Sequence, residues 1–206
     1  MGLDQLHWVA FAVAVCGAAA GCGNSEPSRY YILTPMASSH AAQAAISDDP
    51  ELTVGIDPIE LPQYLDRPQI VTRTTRNELQ FAEFDRWAEP LGDNFGRVLL
   101  EDLSTLLSAH RILVVPTAGE VPPDYRVIVE VTRFDRDAGG DSVLTVRWTV
   151  FDRDRNPLVI RESRFSEPVA RPGHAPTVAA MNRAVAHLGR DIAEEIKILP
   201  RRAPDG

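Results

Sequence analysis

Residues 125–160 read YRVIVEVTRFDRDAGGDSVLTVRWTVFDRDRNPLVI, and the period of this stretch decides the fold. Tyr125, Val127, Val129 and Val131 fall on one face of an extended chain, while Arg126, Ile128, Glu130 and Thr132 fall on the other. That is the two-residue period of a half-buried strand. Leu144, Val146, Trp148 and Val150 repeat the pattern, and Leu158 and Ile160 begin a third run with the same spacing. The turn-forming sequences DRDAGGD and DRDRNP separate the runs, which predicts an antiparallel meander. The tetrapeptide FDRD recurs at 134–137 and 151–154, each copy ending a predicted strand, and both read as solvated turns.

Downstream of the meander, Val178, Met181, Val185, Leu188, Ile192 and Ile196 recur every three or four residues, which predicts an amphipathic helix over 177–198 stopped by Pro200. Upstream, RILVV at 111–115 is a short apolar run ended by Pro116 and reads as a buried strand. Before it, Phe95, Val98, Leu99, Leu103, Leu106 and Leu107 form the apolar face of a second helix that starts around 90–93. Residues 69–74 and 78–84 read as a hairpin joined through Thr75, Arg76 and Asn77, and residues 52–56 and 29–34 as earlier strands. The prolines of 58–67 keep that segment irregular, and the Ala/Ser-rich stretch 36–50 reads as loop. The order of strands, a helix, four strands and a long helix predicts an α+β fold. It is an α/β sandwich with a largely antiparallel or mixed sheet covered by two main helices.

The chain has 206 residues, 44% apolar, 24% charged and 7% aromatic, the composition of an ordinary globular protein with one core. Its net charge of −8 and lack of a clustered Lys/Arg patch exclude a nucleic-acid-binding surface, which needs concentrated cations to displace counterions. Both cysteines, Cys16 and Cys22, lie in the first 22 residues, so the body of the chain holds no disulfide framework, zinc cluster or cysteine nucleophile.

Residues 8–20, WVAFAVAVCGAAA, carry no charge. They have the length of a secretory h-region and are too short to cross a bilayer, which takes about 20 apolar residues. Ala18, Ala19, Ala20 and Gly21 precede Cys22. This resembles a bacterial lipobox, with Ala19 where Leu is usual and with Asp4 in place of a positive n-region. On that reading 1–21 is a signal peptide, Cys22 is the lipidated first residue of the mature chain, 22–29 is a tether, 30–200 is a single domain and 201–206 is a tail. An uncleaved apolar anchor helix and a simple secreted protein are the alternatives. Gly23 rather than Asp after the cysteine resembles the sorting signal for the outer membrane. Several acyl chains hold a protein on a membrane where one holds it only marginally.

No catalytic constellation is present: the sequence lacks GxSxG, GxxxxGK[ST], GxGxxG and HExxH, and its histidines are scattered. Asp135, Asp137 and Asp141 with Gly139 and Gly140 could offer oxygens to Ca²⁺, but they lack the spacing and closing Glu of an EF-hand, and Arg136 opposes a cation. Glu83, Asp85 and Glu89 surround Arg86 and read as ion-pairing rather than acid–base groups. The sequence therefore calls for no cofactor, no metal and no enzymatic activity.

The most distinctive segment is 64–91, YLDRPQIVTRTTRNELQFAEFDRWAEPL. It resembles the PqiC-type family of ABC-transport auxiliary lipoproteins, whose members carry a stretch close to YLDRPQIVTR, NEL, EF and RWAEPL. RYYILTP at 29–35 is similar to the family's opening strand. The resemblance implies a non-catalytic lipoprotein anchored at the outer membrane and facing the periplasm. Its fold would be similar to the amino-terminal domain of TolB. Its partners would be a periplasm-spanning MCE-domain protein and an inner-membrane permease, in a system that moves lipids between membranes and maintains envelope integrity. A ring of copies matching a multimeric MCE partner is compatible with it. Arg67, Arg73, Arg76, Arg86 and Trp87 are the candidate docking residues, since Arg and Trp are enriched at binding hot spots. The rival reading is a lipoprotein that itself carries a lipid or small hydrophobic ligand in an apolar pocket between sheet and helices.

Overall fold

The structure is a computed structural model that describes residues 26–36, 52–118 and 122–200. Cys22, the tether before residue 26, and most of the Ala/Ser-rich stretch lie outside the described residues. Among the described residues eight strands and two long helices follow one another as β1 (Arg29–Tyr31), β2 (Leu52–Ile56), β3 (Gln69–Arg73), β4 (Leu79–Trp87), α1 (Leu91–Leu107), β5 (Ile112–Pro116), β6 (Tyr125–Arg136), β7 (Asp141–Phe151), β8 (Pro157–Pro168) and α2 (His174–Lys197). A single 3-10 turn, Ser108–His110, links α1 to β5. The element order is the expected one, and the sheet is mixed.

Strand β6 is the spine. Along one edge it pairs antiparallel with β7 over its whole length, and β7 pairs antiparallel with β8. Along the other edge three segments lie parallel to it in succession: β2 opposite Tyr125 to Val127, Glu60 opposite Glu130, and β3 opposite Arg136. The sheet therefore forks, with β5 parallel to β2 on one branch and the hairpin partner β4, then β1, on the other. Residues 57–68 run through the fork, where Glu60 donates its amide to Val129 O and accepts from Val131 N.

Both helices cover one face of this sheet. Val127, Val129, Val131, Phe134, Leu144, Val146, Trp148 and Val150 point to them, as do Phe95, Val98, Leu99 and Leu103 of α1 and Met181, Val185, Leu188 and Ile192 of α2 from the other side. Phe95 meets Phe134 edge-on at 5.5 Å between centroids. All eight strand positions are at most 4% exposed, so burial of apolar surface here is close to complete.

Four expectations need correction. The third meander run is in the opposite phase: the register shifts between Val150 and Phe151, and Arg155 turns the loop at φ 64°. Val159 consequently faces the helices, and Leu158 and Ile160, 44% and 59% exposed, point away. The first strand stops at Tyr31 because helix side chains, not a neighbouring strand, take the backbone groups that follow (below). Strand β5 is a half-buried edge that pairs with β2 alone. The first FDRD copy is no solvated turn. A bulge between Val131 and Arg133 sends Phe134 into the core and leaves Asp135 fully buried on the opposite face. Only the second copy is a turn, in which the Asp152 side chain accepts from the backbone and side chain of Asn156.

Candidate functional site

The distinctive segment 64–91 forms the loop end, the β3–β4 hairpin and the entry to α1. It supplies one branch of the sheet. Here Asp135 gathers three donors: Arg133 Nε at 2.9 Å, Arg73 Nη2 at 3.1 Å and Tyr64 Oη at 3.1 Å. Burial, reinforced by the Asp135 charge and hydrogen bond, pushes the Tyr64 hydroxyl up to about 12. Tyr64 thus stays a neutral donor at every physiological pH. An acid with two guanidinium partners is stable when buried only because its partners are in place, so this knot fixes the 57–68 segment over the sheet.

The five candidate docking residues separate by depth. Trp87 is 5% exposed and belongs to the core, and Arg73 is half-buried and held by Asp135. Both support the face from beneath. Arg67 lies 4.0 Å over the exposed Phe81 ring, a cation–π contact, and Arg76 is exposed at the tip of the hairpin. Arg86 is partly exposed beside Gln69 of β3 and Tyr30 of β1, the latter 65% exposed. The structure so places Arg67, Arg76 and Arg86 on one branch of the sheet, Arg67 against Phe81, Arg86 beside Tyr30 of the edge strand and Arg76 at the far, tip end of the hairpin. The expected pairing of Arg86 with its acidic neighbours is replaced by longer-range pairs: Asp85 binds Arg29, and Glu89 binds Arg97 at 2.6 Å.

Asp85 belongs to a second set that the sequence did not disclose. It accepts from Arg29 Nε at 2.9 Å and Arg29 Nη2 at 3.0 Å, and from Tyr31 Oη at 2.7 Å, with His174 of α2 at 3.7 Å. Burial works to raise this carboxyl, and the Arg29 and Tyr31 hydrogen bonds with nearby His174 outweigh it and hold it below the usual range. Three more helix side chains grip the strap that follows. Asn94 of α1 takes the Leu33 amide at 2.6 Å and returns a hydrogen bond to its carbonyl. Asn182 of α2 accepts from the Thr34 amide and donates to the Thr34 hydroxyl. Asp102 of α1 accepts from the Met36 amide at 2.8 Å, while its Oδ2 is buried without a partner. Desolvation raises the Asp102 carboxyl to about 6, against the Met36 hydrogen bond. The only signal of this set in the sequence was the presence of Asn94 and Asp102 among the apolar positions of α1.

Among the described residues no group of three or more His, Cys, Asp or Glu could hold a metal ion, and no helix is long and apolar enough to cross a membrane. His187 stacks on Phe165 and pairs with Glu167, which also binds Arg183. These contacts tie α2 to β8. Between the fork and α1 lies an apolar cleft of about 440 Å³, lined in part by Ile56, Pro58, Ile59, Gly96, Leu100 and Pro116.

Comparison with known proteins places this architecture. Residues 31–193 match the family described as the ABC-type transport auxiliary lipoprotein component. The chain is 24% identical over 181 residues to the intermembrane transport lipoprotein PqiC of Escherichia coli K12, covering 88% of this chain and 93% of that protein. The PqiC of Shigella flexneri matches to the same extent, at 24% identity over 181 residues. Among crystal structures, an uncharacterized protein superposes with a TM-score of 0.70 at 20% identity, covering 83% of this chain and 99% of the other. A DUF330-family protein from Xanthomonas campestris does so with a TM-score of 0.67 at 18% identity, covering 83% and 95%. These two likenesses are likenesses of fold.

Proposed function

Because the chain belongs to the family of ABC-type transport auxiliary lipoproteins, we propose that it is the lipid-anchored accessory subunit of an MCE-type intermembrane lipid transport system. In this reading Cys22 carries the acyl chains, and Gly23 directs the protein to the periplasmic face of the outer membrane. The domain then docks a periplasm-spanning MCE protein whose inner-membrane permease supplies the other end of the path. The family match over 31–193 carries the proposal. The described strap gives it a mechanical basis. Residues 29–36 follow the tether in the chain, and they are held by side chains from β4 and both helices (Asp85, Asn94, Asn182 and Asp102). A pull on the anchor is thereby delivered to the core and not to a free end. Arg67, Arg76 and Arg86 form the docking face, with Arg73 and Trp87 fixing it from below.

The test is to purify the full-length tagged chain from detergent-extracted envelopes and identify what accompanies it. Co-purification with an MCE-domain protein, and loss of membrane association in Cys22→Ser, are the expected results. A wild-type chain that fractionates with the soluble periplasm, or that brings down no transport component, contradicts the proposal.

A further inference from the structure

From the cleft between α1 and the fork, we infer a binding site for the aliphatic chain of an anionic lipid. Its volume of about 440 Å³ is within the size range of small-ligand sites. The wall contributed by α1 is opened by Gly92 and Gly96, one turn apart. A Cβ at Gly96 would meet only Ile59 Cγ1, at 3.4 Å, so any larger side chain there projects into the space. Ile56, Pro58, Ile59, Leu100 and Pro116 complete a surface of carbon. Two of the three charged groups on the rim, Asp57 and Arg97, are engaged. The third, Asp93 in the first turn of α1, has no side-chain partner among the described residues, so an anionic headgroup would leave by the Asp57 end and away from it. Asp57 takes both oxygens to Arg126 Nη2, at 2.9 and 2.7 Å, and Arg97 lies between Glu89 and Glu101. None of the buried, unpartnered polar side-chain atoms belongs to a lining residue. Away from Asp93 a polar ligand would find no partners on the apolar walls and would lose its own hydrogen bonds to water, whereas an alkyl chain loses only contact with water.

The charge of the ligand follows from the neighbouring recess. Asp57 also lines a second hollow of about 180 Å³ with Arg126, Ile128, Phe151 and Arg155. Arg155 is exposed and has no ion-pair partner among the described residues. Arg126 is paired with Asp57, so among the described residues lining this hollow Arg155 is the free cation where a headgroup would emerge. This site does not depend on partner docking: its loss would leave anchoring and co-purification intact.

The experiment feeds cells producing the full-length chain a diazirine-bearing fatty acid that enters their phospholipids, irradiates them, and maps adducts by mass spectrometry. Phospholipid adducts on peptides containing residues 56–59, 92–100 and 116–118 are expected. Both Gly96→Leu and Leu100→Trp should reduce them at least tenfold while leaving the thermal melting curve cooperative. Using both variants keeps the test valid if one fails to fold. Arg155→Glu should lower adducts of anionic phospholipids several-fold more than those of zwitterionic ones. Adducts that persist in both filled variants, or that carry the chain's own amino-terminal lipopeptide instead of a phospholipid, would overturn the inference. So would an absence of adducts in the cleft of the wild-type chain.

Discussion

The two faces of the sheet are made by alternate residues of the same strands, yet they are held by different forces. On the helix side Val146, Trp148 and Val150 meet α2, and Phe134 meets Phe95 of α1, in an apolar interior. On the other side arginines, carboxylates and rings mix with exposed Leu158 and Ile160, and Asp135 is a carboxylate withdrawn completely from water and held by Arg73 and Arg133. The difference teaches that stability resides on one face and that the other is available for contact. The exception is the corner where Tyr64, Arg73 and Arg133 close over Asp135.

The comparison is broken most severely by removing the core side of it. Phe95→Ala should cost about 3–5 kcal/mol in urea unfolding, as a buried aromatic lost from a closed core does, while Phe81→Ala on the open face, 42% exposed, should cost under about 1 kcal/mol. Equal losses would mean the faces do not differ. Asp135→Ala tests the exception. It strands two half-buried guanidiniums and should cost about 3–5 kcal/mol, far above any other polar truncation on that face. A loss below about 1 kcal/mol would show that the knot is only surface pairing.

The two strap acids give a smaller effect with opposite signs. Asp85 is held below its ordinary value, so its contribution is present above about pH 4 and disappears as pH falls through the lowered value. Asp102 is raised to about 6. The folded state therefore binds its proton more tightly than the unfolded chain, and its contribution is complete below about pH 4 and lost as pH rises through about 6. Asp102→Asn keeps an acceptor for the Met36 amide without the buried charge. It should be more stable than wild type at pH 7 by about 1–2 kcal/mol and converge with it near pH 4. A difference that stays constant between pH 4 and 7 would exclude titration of Asp102 in that window. Smallest of all, Arg76→Ala at the hairpin tip should change stability by less than about 0.5 kcal/mol.

The elements were legible wherever one face is wholly apolar. The stripe from Val178 to Ile196 and the run from Val127 to Val131 gave helix and strand directly, because burial imposes their periods. What failed was parity and partnership. A single bulge after Val131 and a register shift at Phe151 moved Asp135, Leu158 and Ile160 to the face opposite the one their spacing implied. No local pattern announces such shifts. The forked topology, with β2 and β3 sharing one edge of β6, depends on pairings more than 60 residues apart in some cases, such as Thr72 with Arg136. Among the docking candidates, residue type alone does not separate the core Trp87 from the exposed Arg76. Asn94, Asn182 and Asp102 serve a strap far away in sequence, so their polar character in a helix was the only trace.

The central claim, that the open face docks the transport partner while the helix face keeps the fold, is tested most directly by a pull-down of that MCE partner. The comparison is between the full-length Arg67→Glu/Arg86→Glu variant and a helix-side control, Arg190→Glu. The account predicts at least a tenfold loss of partner for the first, none for the control, and wild-type melting temperatures for both within a few degrees. Undiminished capture by the double variant, or equal loss in the control, would contradict it.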